Sequence, residues 1–103
     1  MELNLDSDGY LVDLGDWSPV VAQSLADDAG IELTDDHWRV VEVVRSFYRE
    51  TGVSPAMRPL VKLMREAQGA ELASSLVLMR LFPGNPAKAV ARIAGLPKPT
   101  NCL

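Results

Sequence analysis

Thr34-Asp35-Asp36-His37-Trp38-Arg39-Val40-Val41-Glu42-Val43-Val44-Arg45-Ser46-Phe47-Tyr48-Arg49-Glu50-Thr51-Gly52 is the stretch that decides the fold class. The Thr34 hydroxyl can accept from the free amides of a first helical turn, and Asp35 and Asp36 place negative charge at the positive end of the helix dipole. Trp38, Val41, Val44, Phe47 and Tyr48 then recur at the three-and-four spacing that lines one helix face with apolar side chains. Gly52 supplies the exit, because glycine enters a left-handed turn without a Cβ penalty. A stripe this long needs an apolar partner, so the flanking chain is read for the elements that cover it.

Upstream, Ser18-Pro19 combines a hydroxyl cap with a proline at the first helical position and leads into Val20, Val21 and Leu25. That helix is expected to stop near Gly30. Downstream, Ser54-Pro55 repeats the start signal, with Met57, Leu60, Val61 and Met64 as the buried stripe of a third helix. Pro59 has no amide to bond back to Pro55, so this helix is expected to begin late or to kink. Ala70 to Phe82 is apolar on most sides and reads as one buried helix. Asn85-Pro86 starts a last short helix through Val90 and Ile93 to Gly95.

The two ends differ from this helical body. Glu2 to Leu5 and Tyr10 to Leu14 alternate in part around Asp8-Gly9, a hairpin turn signal, which predicts a short β-hairpin. After Gly95, the run Leu96-Pro97-Lys98-Pro99-Thr100-Asn101-Cys102-Leu103 has two prolines at alternate positions and is expected to be a stiff, extended arm. At roughly 3.1 Å per residue it would hold Cys102 some 20 Å beyond Gly95.

With 103 residues, the chain fits one core. Apolar residues at 48% and charged residues at 23% mark an ordinary globular composition and argue against wholesale disorder. The net charge of −4 repels a phosphate backbone, so autonomous nucleic-acid binding is disfavoured. The N-terminus has no basic start followed by an apolar run, and no apolar stretch approaches the ~18 residues of a membrane span. A cytoplasmic location without membrane attachment is expected. One cysteine excludes an intrachain disulfide and a cysteine-rich zinc site, so neither metal nor cofactor is expected.

Cys102 is the one strong nucleophile expected to be accessible. A lone cysteine is usually packing material, but a residue beyond the last helix has little core to fill. At a reference pKa of about 8.5 only a few per cent is thiolate at neutral pH, which points to activation by a partner. His37, the sole histidine, lies in the first turn of its helix beside Asp35 and Asp36 and reads as a solvated polar site rather than the base of a Cys-His pair. Arg58, Lys62 and Arg65 recur at helical spacing as a basic strip. Arg58 and Lys62 on that strip, with Arg92 and Lys98 near the arm, are the candidate partner contacts.

The ending Phe82-Pro83, Pro86-Ala87-Lys88, Arg92-Ile93-Ala94-Gly95-Leu96-Pro97-Lys98-Pro99 and the penultimate Cys102 resembles the DsrC/TusE family of sulfur-relay proteins. Gly9-Tyr10-Leu11, Trp17, Gly30-Ile31-Glu32-Leu33-Thr34, His37-Trp38, Phe47-Tyr48 and Ser54-Pro55-Ala56 with Arg58 and Leu60-Val61-Lys62 are similar to the family pattern in the same order. Two-cysteine members place the second cysteine eleven residues before the penultimate one, where this chain has Ala91. The resemblance is therefore to the single-cysteine, TusE-like branch. It implies a catalytic Cys102 that accepts sulfane sulfur as a persulfide. It also implies an upstream TusBCD-like donor complex and a downstream tRNA thiouridylase making wobble 2-thiouridine, or another sulfur acceptor. The chain departs from the pattern in a shortened segment between Met64 and Leu72, in Ser74-Ser75-Leu76-Val77-Leu78 where tyrosines are expected, and in Pro59.

The expected architecture is an α+β domain, mainly helical, with a small N-terminal β-hairpin or meander packed on about five helices. Residues 1–95 form the single domain and 96–103 the flexible C-terminal arm. The rival readings are a DsrC-like carrier or regulator in sulfur oxidation or sulfite metabolism, a non-catalytic interaction module, and a helical DNA-binding regulator.

Overall fold

The computed structural model describes residues 2–100. Five α-helices make up the body: α1 (Pro19–Asp28), α2 (Asp35–Thr51), α3 (Met57–Gln68), α4 (Ser75–Leu81) and α5 (Pro86–Ile93). The short α5 is the element around which the others are arranged, since α1, α2, α3 and α4 all pack on it. Its sequence explains this. Ala87, Val90, Ala91 and Ile93 are fully buried, and the small side chains let neighbouring helices approach closely. The core around them includes Leu25, Val40, Val44, Leu60, Met64, Leu78 and Phe82.

The helix starts follow the local signals. Ser18 Oγ accepts from the Val21 amide at 3.3 Å, and Asn85 Oδ1 accepts from the Lys88 amide at 3.1 Å. Helix α2 spans Asp35–Thr51 with Gly52 at φ 74° as its left-handed exit. Helix α3 begins at Met57, so Pro59 is its third residue, where an amide would have no intrahelical partner in any case. The first closing bond is Leu60 N to Ala56 O at 2.9 Å, and the proline costs the helix nothing there.

Three expectations are corrected. The fold is helical, and the N-terminal β-hairpin is not formed: no strand occurs among the described residues, only a single antiparallel bridge between Leu5 and Leu11. The Asp6 carboxylate takes the Tyr10 amide at 3.0 Å, the Asp6 carbonyl takes Gly9, and Asp13 caps a 3-10 turn at Leu14–Asp16. Too little backbone remains to extend a ladder. The expected Ala70–Phe82 helix is divided. A 3-10 turn at Ala70–Leu72 precedes α4, because the Ser74 hydroxyl accepts from the Leu76 and Val77 amides and restarts the helix.

His37, expected in solvent, is buried. Its Nε2 donates to the Leu81 carbonyl at 2.7 Å, and Nδ1 accepts from the Thr34 amide at 3.1 Å. The ring also meets Phe82 edge-on, with centroids 5.0 Å apart. This places His37 at the third position of a capping box, where it ties the start of α2 to the end of α4. Both ring nitrogens are occupied, so His37 is a structural residue. His37→Ala leaves the Leu81 carbonyl and the Thr34 amide without these partners and is expected to lower stability by about 2 kcal/mol in denaturant unfolding.

Candidate functional site: the root of the C-terminal arm

Cys102, the candidate catalytic residue, lies outside the described residues. The structure instead defines the platform from which its segment leaves the body. Helix α5 ends in a paired turn: Gly95 N donates to Arg92 O at 3.1 Å and Leu96 N to Ala91 O at 2.9 Å. This is a Schellman arrangement, with Gly95 at φ 72° in the left-handed position and Leu96 buried behind it.

Trp17 lies directly on that glycine. A Cβ at Gly95 would overlap Trp17 Cδ1 and sit 2.7 Å from Cγ and 2.8 Å from the tryptophan Cβ. The indole Nε1 donates to Ile93 O at 2.9 Å, and the Arg45 guanidinium sits 3.7 Å from the ring centroid. Arg45 Nη1 in turn donates to Ala94 O at 2.7 Å. Two carbonyls left over at the end of α5 thus receive side-chain donors, one of them a cation at the negative end of the helix dipole. Burial, then the neighbouring Arg49, holds Arg45 below the usual arginine range, yet a guanidinium remains charged at neutral pH.

Beyond that turn the chain runs along the body without helix or strand. Ser54 Oγ donates to Pro97 O at 2.6 Å. Lys98 Nζ is 3.6 Å from Asp8 Oδ2, Pro99 is buried and Thr100 is exposed. The N-terminal turn that carries Asp8 is itself fixed to α5, through Tyr10 Oη donating to Lys88 O at 3.1 Å and Arg92 Nε donating to Gly9 O at 3.1 Å.

Of the residues singled out from sequence, Arg92 and Lys98 are brought together on this turn, one holding Gly9 and the other Asp8. Arg58 and Lys62 are exposed on α3, and no hydrogen bond or ion pair among the described residues joins them to Arg92 or Lys98. Trp17, Arg45, Ser54 and Asp8 were not singled out as site residues. Their partners lie 43 to 90 positions away in the chain, so no local spacing marks them. Trp17 and Arg45 also border a groove of about 730 Å³ whose walls include Trp38, Phe47 and Leu63 and hold neither cysteine nor histidine.

Among the described residues no group of three or more metal-ligating side chains comes together, and no helix is long and apolar enough to cross a membrane.

The whole chain, residues 1–103, matches the family model described as DsrC like protein. Sulfurtransferase TusE of Sodalis glossinidius (strain morsitans) is 49% identical over 102 residues, covering 99% of this chain and 94% of the relative. Sulfurtransferase TusE of Yersinia pseudotuberculosis is 50% identical over 101 residues, covering 98% and 94%. Among solved structures, the NMR structure of Allochromatium vinosum DsrC superposes with a TM-score of 0.87 at 43% identity, covering 96% of this chain and 88% of that one. The oxidized gamma-subunit of the dissimilatory sulfite reductase (DsrC) from Archaeoglobus fulgidus gives 0.86 at 40% identity, covering 100% and 94%.

Proposed function

Because this chain belongs to the family of DsrC-like proteins, we propose that it is a sulfur carrier of the TusE type whose cargo rides as a persulfide on Cys102. The observation that carries this reading is the full-length similarity to sulfurtransferases in a chain that has a single thiol, next to its C-terminus. Residues 1–95 are the domain, and 96–103 are the arm that delivers the cysteine.

The chemistry is thiol exchange with sulfane sulfur as the transferred atom. The Cys102 thiolate attacks the terminal sulfur of a donor persulfide; the new S–S bond forms as the old one breaks, and the donor leaves as a thiolate. An acceptor nucleophile then attacks the terminal sulfur on Cys102, which departs as a thiolate and returns to the resting state. No electrons enter or leave the pair, so no redox cofactor takes part. The protein's share is to keep the nucleophile quiet until docked and to present it at a defined place. The donor is a TusBCD-like complex and the acceptor a tRNA thiouridylase, both cytoplasmic. The exposed Arg58 and Lys62 of α3 offer positive charge to an acidic partner surface, whereas Arg92 is largely engaged in holding Gly9.

With Ala91 fully buried in α5 and no second cysteine in the chain, a disulfide within the molecule is unavailable as a carrier state. The persulfide is the remaining form. Intact-protein mass spectrometry after incubation with a cysteine desulfurase, cysteine and relay proteins is expected to show a reductant-labile gain of one sulfur on the peptide containing Cys102. Absence of that adduct, with a control acceptor loaded in the same mixture, sinks the reading.

A further inference from the structure

We infer that Ser54 is a positioning residue for the arm: with the Asp8–Lys98 pair it forms a latch that holds residues 97–99 against the body and shortens the reach of Cys102. This rests on the carrier reading above. The contacts holding the segment fall into two classes. The root at Gly95 and Leu96 is fixed by buried groups, with Trp17 against Gly95, Arg45 on Ala94 O, and the Leu96 amide bonded within α5.

The next two residues are held differently. Pro97 has one bond, from the Ser54 hydroxyl at 2.6 Å in an exposed setting. Lys98 has one ion pair, at 3.6 Å with both side chains about half exposed. A neutral hydrogen bond at the surface and an exposed ion pair are individually weak and reversible. Pro99, the next residue, is buried and leaves its seat when these two contacts open; release beyond the Leu96–Pro97 bond still leaves the clamp and the helical body intact.

The consequence is a change in span. Cys102 is three residues from Pro99 and six from Leu96. Fully extended, those segments reach about 10 Å and about 20 Å respectively. A cysteine that must enter another protein's active site gains roughly twofold in reach when Ser54 and Asp8 let go and the buried Pro99 comes away with them.

The test separates order from chemistry. In the full chain, the backbone ¹H–¹⁵N nuclear Overhauser effect at Lys98 and Thr100 reports whether the arm is held. Modification of Cys102 by N-ethylmaleimide and by maleimide attached to a bulky inert protein uses one reaction with two steric demands. Ser54→Ala is expected to lower the Overhauser effect at both amides and to raise the bulky-reagent rate about fivefold, the value of one lost surface hydrogen bond, with the N-ethylmaleimide rate and the melting temperature unchanged.

Ser54→Thr keeps the hydroxyl and restores wild-type values. Asp8→Asn, or added salt on the wild type, moves both readouts the same way by less. Wild-type Overhauser values or a wild-type ratio of the two rates in both Ser54→Ala and Asp8→Asn overturns the latch. Failure of the carrier reading is a separate result, in which Cys102→Ser still relays sulfur while the chains that keep Cys102 show the Overhauser and maleimide changes expected of the latch.

Discussion

A Cys102→Ser chain is expected to fold and melt like the wild type and to relay no sulfur at all. The loss is complete because the sequence holds no other thiol that can substitute, and because a serine hydroxyl, far less acidic than a thiol, neither attacks a persulfide at neutral pH nor stores sulfane sulfur as an S–S bond. Stability is expected to be untouched because cysteine and serine differ by one atom of similar size, and the core among the described residues is supplied by α1 to α5, the turns between them, and Tyr10, Leu11 and Leu96 on either side. Two measurements check this: single-turnover transfer of radiolabelled sulfur from donor to acceptor, and thermal unfolding by circular dichroism. Transfer at the wild-type rate by the serine variant would remove Cys102 from the mechanism. It would leave the helical body as a docking module and nothing more.

The contrast between that cysteine and its platform shows what a sequence makes legible here. Ser18-Pro19, Asn85-Pro86, Gly52 and Gly95 announced helix ends because capping is a transaction between residues within one turn of each other. Cys102 stood out for the same kind of reason, being a lone thiol in a proline-bearing tail. The Leu5–Leu11 region misled because alternation and Asp8-Gly9 describe a hairpin, whereas the Asp6 and Asp13 side chains compete for the amides a ladder would use.

His37 misled in another way, and Trp17 went unread as a site residue. Each bonds a carbonyl far along the chain, Leu81 O for His37 and Ile93 O for Trp17. Periodicity within a window cannot anticipate a bond to a carbonyl 44 or 76 positions away. The clamp that supports the arm is built from such bonds, which is why a candidate thiol could be picked out of the sequence and the mount of its arm could not.

Gly95 is where that mount is most exposed to a single change, and Gly95→Ala is expected to cost on the order of 3–5 kcal/mol, lowering the melting temperature by roughly 20 °C. Two penalties add. An alanine at φ 72° pays the left-handed strain of about 1–2 kcal/mol that any L side chain meets there. Its Cβ would also overlap Trp17, so the indole must shift, breaking its bond to Ile93 O and unseating Arg45 from the ring face and from Ala94 O.

Gly52→Ala is the matched control. Gly52 has φ 74° and nothing within 4 Å of an added Cβ, so it pays the backbone penalty alone, about 1–2 kcal/mol. The difference between the two variants in denaturant unfolding therefore measures the Trp17 contact. Trp17→Gly removes the indole and also the Cβ that would sit 2.8 Å away, and in that background Gly95→Ala should cost no more than Gly52→Ala does, a non-additivity of about 2–3 kcal/mol. Equal costs for Gly95→Ala and Gly52→Ala in the wild-type background would mean that Trp17 yields freely and does not hold the root of the arm. A large difference that persists without Trp17 would assign the restraint to the Leu96 turn instead. The predicted pattern, a large penalty at Gly95 that collapses when Trp17 is gone, is the signature of an arm whose departure point is set by one indole wedged between a glycine and an arginine.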